Sequence, residues 1–479
     1  MRKKFVFILT VMLIFTFCFS PLTVFAGSGK SPYNGKTYNH ASKFDDSVVV
    51  NGIDVSAYQG NIDWNKVKAD GVDFAIIRVG GRGYGASGTM YSDDYFDKNI
   101  KGAQKAGIMV GVYYFSQAKT NAEAKAEARW TLQEIEGYDL QLPVFMDYEH
   151  ASDSANPGRI KNLSKSQRTS NVRAFCDTIE AAGYDAGFYS NLLFYENSVD
   201  GKQISEKYVS WVAQYYNRCQ YDYEYLIWQY GSDGSVNGIS GRTDCNFMYL
   251  SPQTSSSGSS IAGCKITVAD ALYEGKKNYE PAVTVKSGDK TLKEGTDYLV
   301  GYIDNRSLGT AYAYVKGTGK YTGYQLVSFK ISEAPGIESD FAVSDKYKIG
   351  DYVTGVSLET SVATFKKNVK VKDGYTFKVL SESGKEMTSG AVGTGDRLSV
   401  HDSGGKTIGQ AVIVVRGDSD GDGKCGLLDL LNLRKQIVNL EDYSDAQLKA
   451  FDANNDGSVG LLDLLAFRKH IVGLESIKN

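Results

Sequence analysis

Asp147 and Glu149 stand two residues apart at the end of an apolar run, Leu142-Pro143-Val144-Phe145-Met146. In a strand, residues i and i+2 face the same way, so the two carboxylates share one side while Met146 and Tyr148 take the other. Two such carboxyls repel, and the one in the more apolar setting keeps its proton. A site built this way holds an acid and an anion together near neutral pH. Two further acids have a similar setting: Asp54 follows Ile53 in "DVSAYQG", and Asp244 lies in "RTDCN".

A second group of acids near the C-terminus has a different spacing. "DSDGDGKCGLLDLLNLRKQIV" from Asp418 is echoed by "DANNDGSVGLLDLLAFRKHIV" from Asp452, a repeat with a period of 34 residues. Each copy offers oxygen ligands at loop positions 1, 3, 5 and 12: Asp418, Asp420, Asp422 and Asp429, then Asp452, Asn454, Asp456 and Asp463. Gly423 and Gly457 at position 6 permit the sharp turn, and Lys424 and Ser458 offer backbone carbonyls at position 7. All-oxygen sets of this size suit Ca2+, so two structural calcium sites are expected. Position 12 is Asp where an EF-hand has Glu, and the sequence predicts a helix after each loop but none before it. Gly426 and Gly460 at position 9 leave that ligand position to water.

The elements that must position the first four acids follow an alternating pattern. Strands are predicted at "GIDVSAY", "FAIIRVG", "MVGVYYFS", "LPVFMDYE" and "AGFYSN", with amphipathic helices such as "NAEAKAEARWTLQEIEGY" and "SQRTSNVRAFCDTIEAAG" between them. This βαβα order predicts a parallel sheet or barrel. From Val209 the pattern shifts to short strands without good helices, so the (β/α) barrel is expected to be irregular there. Asp147 and Glu149 would lie at its C-terminal mouth, with Asp244 on a last strand beside Asp54 on the first. Tyr58, Tyr113, Tyr148, Tyr189, Trp211, Tyr215 and Trp228, with Tyr114, Phe115 and Tyr230, lie towards strand ends and are expected to form a floor for stacking sugar rings.

The rest of the chain reads as a multidomain organisation. Arg2, Lys3 and Lys4, an apolar run from Phe5 to Phe19 and the end Val24-Phe25-Ala26 describe a signal peptide over residues 1–26, predicting secretion. A polar N-terminal linker over 27–50, the barrel over 51–250 and a Ser-rich linker over 251–260 follow. Residues 261–333 and 338–415 read as two β-rich units, the first a small β-sandwich, and residues 416–479 carry the helical calcium repeat. Formal net charge is -3 with both signs dispersed, so no nucleic-acid partner is expected, and after the signal no segment is long enough to cross a bilayer. Cys176, Cys219, Cys245, Cys264 and Cys425 make no disulfide framework and no zinc motif. "GYGASG" fits GxGxxG at Gly83, Gly85 and Gly88 but opens no helix, and it reads as a loop.

Three resemblances follow from these motifs. "DVSAYQG" with "IDW", "GVYYF", "FMDYE", "WVAQY", "IWQY" and "DCN" resemble the lysozymes of glycoside hydrolase family 25 across residues 51–250. That resemblance implies cleavage of the β-1,4 bond between N-acetylmuramic acid and N-acetylglucosamine in peptidoglycan. Glu149 would be the general acid, and Asp147, Asp54 and Asp244 would complete the catalytic cluster. Substrate-assisted attack by the 2-acetamido oxygen is the expected mechanism, with an inverting role for Asp147 or Asp244 left open. The C-terminal repeat, including Arg434-Lys435 and Arg468-Lys469, resembles the dockerin module, which implies binding to a cohesin of a scaffolding protein. Leu427, Leu428, Leu461 and Leu462 stand where such modules choose partners, whether exposed or packed inside. "EGTDY" and "GTGKYTG" resemble bacterial immunoglobulin-like repeats. Rival readings are a carbohydrate-binding barrel without catalysis and a chitin-type glycosidase.

Overall fold

The computed structural model describes residues 27–151, 158–251, 260–273, 278–338, 341–441 and 443–477. The expected signal peptide and nearly all of the Ser-rich linker lie outside them.

Eleven strands carry the N-terminal half: β1 (Ser28–Lys30), β2 (Thr37–Asn39), β3 (Val48–Val55), β4 (Phe74–Arg82), β5 (Met90–Ser92), β6 (Met109–Ser116), β7 (Val144–Tyr148), β8 (Ala186–Asn191), β9 (Val209–Ala213), β10 (Ile227–Gly234) and β11 (Thr243–Leu250). The order β3-β4-β6-β7-β8-β9-β10-β11 returns to β3 and closes an eight-stranded barrel, with β5 appended to the end of β4. Neighbours from β3 to β10 run parallel, whereas β11 is antiparallel to both β10 and β3. The helices between the parallel strands are α1 (Trp64–Ala69), α2 (Phe96–Lys105), α3 (Asn121–Glu134), α4 (Lys165–Ala181), α5 (Leu192–Asn197) and α6 (Gly201–Ser205). Their starts are chemically marked: Thr120 and Ser164 accept the N–H groups of Glu123 and Gln167, as N-caps do.

Alternation along each strand divides the core in two. Val50, Phe74, Ile76, Met109, Phe145, Trp211, Ile227 and Met248 fill the lumen. Ile53, Ile77, Val112, Met146, Tyr148 and Phe188 point outward under the helices. Gly187 faces inward beside Phe145, and a Cβ there would overlap the phenyl ring.

Residues 27–50 are not the linker that their polarity predicts. β1 and β2 form an antiparallel hairpin, and Tyr33, Tyr38 and Phe44 are buried in the outer core. The physical reason is the antiparallel β10–β11 pair, which needs no crossover helix and leaves its outer face bare. Tyr38 covers that face with rings 5.6 Å from Trp228 and 5.8 Å from Phe247, and Ser31 Oγ lies 2.8 Å from the Tyr230 hydroxyl.

The first β-rich unit, residues 260–333, holds a three-stranded and a four-stranded sheet that share an apolar core. It also seals the barrel floor. Ile303 and Tyr314 join the luminal cluster, and Gly301 lies so close to Met109 that a Cβ would overlap it. Around this contact Asp73, at the entry to β4, receives Lys68 Nζ at 2.8 Å, Arg306 Nη1 at 2.6 Å and the Asp304 N–H at 3.2 Å. Lys316 pairs with Asp185 at the entry to β8.

The second unit builds a five-stranded sheet with helix α7 (Val362–Lys367) over one core. Three helices end the chain: α8 (Leu427–Ile437), α9 (Asp445–Phe451) and α10 (Leu461–Ile471). Leu433, Phe451 and Phe467 form their core, and Ala446 and Ala450 of α9 pack on Val414 of the preceding sheet. Among the described residues no helix is long and apolar enough to cross a membrane.

Candidate active site and candidate calcium loops

The strand register assembles the four acids. Asp244 pairs directly with Asp54 across β11 and β3, while Asp147 lies between Phe115 and Tyr189 on the neighbouring strands. Glu149 follows the last residue of β7, and its carbonyl accepts Gln117 Nε2 at 2.9 Å. Gln117 is held in turn by Arg159, which pairs with Glu123 at 2.6 Å. Together the four acids line a cavity of about 330 Å³ at the C-terminal mouth of the barrel.

Their environments differ. Asp54 Oδ2 accepts two amide hydrogen bonds, from Gln229 Nε2 and Asn246 Nδ2, each at 2.8 Å. Gln229 is oriented by the hydroxyls of Tyr189 (2.8 Å) and Tyr215 (2.9 Å), and Asn246 by Trp211 Nε1 (2.8 Å). Asp147 is buried and its Oδ1 has no hydrogen-bond partner among the described residues. An unpaired buried oxygen costs free energy and marks a position where a ligand donor fits.

Burial pushes the Asp54 carboxyl well above the usual range, with Asp244 and Glu149 adding repulsion and the two amides opposing it. Burial likewise raises Asp147, reinforced by Glu149 and Asp54 and opposed by Arg78. Glu149 is raised by burial and then by Asp244, and burial pushes Asp244 up to about 6. Burial and mutual repulsion thus make each carboxyl of the cluster a weaker acid than usual, the direction an acid catalyst requires.

Of the expected aromatic contacts, Tyr58, Tyr113, Tyr189 and Trp211 line the cavity, and Phe115 joins them. Tyr148 and Trp228 do not. Tyr148 points outward, donating to the Ala118 carbonyl at 2.6 Å, and Trp228 points outward beneath Tyr38, donating to the Gln214 carbonyl at 2.9 Å. Both belong to the opposite strand parity from the luminal residues. Tyr114 and Tyr230 are buried in the same outer layer. Tyr215 lies beside the cavity and touches it through Gln229.

Sequence reasoning missed Gln229, Asn246, Arg78 and Tyr91. Asn246 was legible by parity, two residues after Asp244 on the same strand. Arg78 lines the cavity with Nε on Asp93 (2.7 Å) and its guanidinium 5.1 Å from the Tyr58 ring, and nothing in its motif announces that role.

In the C-terminal module, carboxylate oxygens of Asp418, Asp420 and Asp422 converge within 4.8 Å of one another. The loop is shaped for this. Gly421 and Gly423 adopt φ of +80°, and Asn455 and Gly457 repeat the pattern at +59° and +85°. Burial, with the charge of Asp429 adding, pushes Asp418 up to about 7, a cost that a bound divalent cation would remove. The all-oxygen donor set fits Ca2+. Asp429 and Asp463 also reach back to the N–H groups of Gly426 (2.7 Å) and Gly460 (2.9 Å), starting α8 and α10. Asp452 Oδ1 accepts the Asp456 N–H at 3.0 Å, and Ser458 follows Asp456 in the second loop.

The expectation that no helix precedes either loop fails for the second. α9 ends directly at Asp452, because the Ser444–Gln447 capping box starts a helix in a segment with a short apolar pattern. The first loop follows a strand, and Asp418 Oδ2 accepts the Thr394 N–H of the second β-rich unit at 2.8 Å. Leu427, Leu428, Leu461 and Leu462 are all more than half exposed.

Two protein families match the chain. Residues 53–239 match the glycosyl hydrolases family 25, and residues 416–472 match the dockerin type I domain. The autolytic lysozyme of Clostridium acetobutylicum is 30% identical over 194 residues, 40% of this chain and 54% of that protein. Lysozyme M1 of Streptomyces globisporus is 31% identical over 212 residues, 42% of this chain and 68% of the relative. A bacterial lysozyme structure from Streptomyces coelicolor is 29% identical, covering 42% of this chain and 91% of that one with a TM-score of 0.36. The chain thus spans about half the length of the clostridial relative. By its sequence match and the relative it largely covers, the chain belongs to glycosyl hydrolase family 25.

Proposed function

We propose that the protein is a secreted peptidoglycan hydrolase that cleaves the β-1,4 bond between N-acetylmuramic acid and N-acetylglucosamine. The observation that carries this reading is the pairing of Asp147 Oδ1, buried and unpartnered among the described residues, with Glu149, a carboxyl that burial makes a weaker acid, in one sugar-sized cavity. Asp147 accepts the N–H of the 2-acetamido group and turns its carbonyl oxygen towards the anomeric carbon. Glu149 gives its proton to the leaving glycosidic oxygen as that carbon–oxygen bond breaks and the acetamido oxygen bonds in its place. Water then opens the cyclic intermediate, returning its proton to Glu149 and leaving a reducing end. Asp244, raised only to about 6, supplies negative field for the positive charge that develops on the ring, and Asp54 anchors the Gln229 and Asn246 amides, while Tyr58, Tyr113, Tyr189 and Trp211 hold the sugars.

Product analysis tests this directly. Purified protein should release muramic acid reducing ends from cell walls with the anomeric configuration retained, and Glu149→Gln should not. Release from chitin alone would favour the chitin-type reading, and binding without release the non-catalytic one. An inverted product would transfer the base role to Asp244 or Asp147.

The same reading assigns the dockerin two structural Ca2+ sites: Asp418, Asp420, Asp422, the Lys424 carbonyl and Asp429, then Asp452, Asn454, Asp456, the Ser458 carbonyl and Asp463. The exposed leucine pairs would face a cohesin of a scaffolding protein. Residues 261–333 would serve as an immunoglobulin-like unit attached to the barrel. Titration with calcium should fold the terminal module, and a fold indifferent to EDTA would remove the metal assignment.

A further inference from the structure

Beside the catalytic cavity lies a second cleft of about 580 Å³ whose walls come from Lys36, Thr37 and Tyr38 of the N-terminal hairpin and from Tyr215, Tyr216 and Ser232 after β9 and within β10. The hairpin precedes the family match, which begins at residue 53. It is fixed there by backbone and side-chain bonds: the Asn39 N–H donates to the Asn217 carbonyl at 2.7 Å, and Asn34 and Lys36 both hold Asp233. The two clefts share one connection, since the Tyr215 hydroxyl donates to Gln229, which donates to Asp54.

The position of this cleft is informative. In the barrel order, β9 stands four strands from β4, the opposite side of an eight-stranded ring. Exposed tyrosines flank both sides: Tyr58 and Tyr91 near β4, Tyr215 and Tyr216 near β9. The carboxylates lie between them. Tyr215 and Tyr216 are each 58% exposed, large apolar area for a soluble surface. Lys36 and Asp233 neutralise each other, so the cleft has no net charge to attract a phosphate or an acidic peptide. Hydroxyl and amide groups of Thr37, Ser232 and Asn217 supply donors and acceptors beside the rings.

We propose that this hairpin-walled cleft is a distal subsite for the glycan strand, uncharged where its lactyl carboxyls are amide-linked, which crosses the barrel mouth from the Tyr58–Tyr91 side to the Tyr215–Tyr216 side. The proposal rests on the peptidoglycan reading but needs only binding, not cleavage. Sugar rings stack on Tyr216 while their hydroxyls and acetamido groups meet the polar wall. The family's barrel alone would hold the sugars at the cut, and the hairpin lengthens the stretch of strand recognised.

The test uses full-length Glu149→Gln protein and calorimetric titration with N-acetylmuramic acid–N-acetylglucosamine glycans of one and of four repeats, their lactyl carboxyls amidated. The four-repeat glycan should bind about tenfold more tightly, the size expected of one well-stacked aromatic. Adding Tyr216→Ala should bring the two affinities within about twofold, and Thr37→Trp, which fills the cleft from an exposed position, should do the same. A length preference untouched by both variants overturns the subsite, as does equal affinity for the two glycans. Wild-type protein that shows the length preference yet releases no reducing ends would remove the hydrolase reading and leave the subsite standing.

Discussion

The mouth and the floor of the barrel both bury carboxylates, with opposite results. At the floor, Asp73 is buried against Lys68 and Arg306. Burial alone would raise its pKa, yet the two cations hold it below the ordinary value. At the mouth, Asp54, Asp147, Glu149 and Asp244 repel one another, and all four are raised. Among the described residues Arg78 opposes this, acting on Asp147. A buried acid with two cations joins two domains, whereas a buried acid among acids becomes a proton store.

The largest effect expected is on catalysis at the mouth. Glu149→Gln should lower turnover by about a thousandfold, the range for a general acid, without lowering thermal stability. Reducing-end assays and calorimetry on one preparation would show both; a large fall in melting temperature would make Glu149 a structural group. At the floor the signs reverse. Asp73→Ala leaves Lys68 and Arg306 without their carboxylate and should cost about 3–5 kcal/mol, with turnover per folded molecule unchanged. Urea unfolding measures this, and a cost below about 1 kcal/mol would mean that the triad contributes no more than a surface pair.

A third kind of buried acid sharpens the contrast, because the cation expected for Asp418 is a metal. Calcium at a hundred times its dissociation constant should stabilise the terminal module by roughly 3 kcal/mol for each site filled, and chelation should remove that increment without moving the barrel's own transition. Two-domain calorimetry with and without chelator would resolve it.

The smallest effect is in the pH profile. A carboxyl whose folded pKa is raised favours the folded state most below the unfolded value near 4 and loses that contribution as pH rises through the folded value. For Asp244 that window closes at about 6. Asp244→Asn should therefore flatten the decline in stability between pH 4 and 7 by about 1–2 kcal/mol. Asp73 has the opposite dependence, its contribution present above about pH 4 and lost as pH falls. An unchanged slope in Asp244→Asn would refute the proton store at that residue.

The sequence made the mouth far more legible than the floor. Period-two alternation put Asp147 and Glu149 on one face, and the strand order put Asp244 beside Asp54. The same alternation argued against Tyr148, whose parity is outward. Trp228 needed knowledge that β10 has no helix over its outer face, and the hairpin that covers it looked like a polar linker. Gln229 and Asn246 escaped notice because amides titrate no proton and occur everywhere. Asp73 and Arg306 are 233 residues apart, and no local pattern links them.

The sealed floor also bears on the order in which the molecule is made. The barrel's last strand ends at Leu250, but Ile303 and Tyr314, which close its lower end, emerge later. At typical synthesis rates that interval leaves Val50, Met109 and Leu142 uncovered for several seconds, on the order of the time many domains need to fold. A chain that stops after the barrel would keep that apolar floor open permanently. Its solubility, more than its chemistry, would then depend on residues usually counted as a spacer.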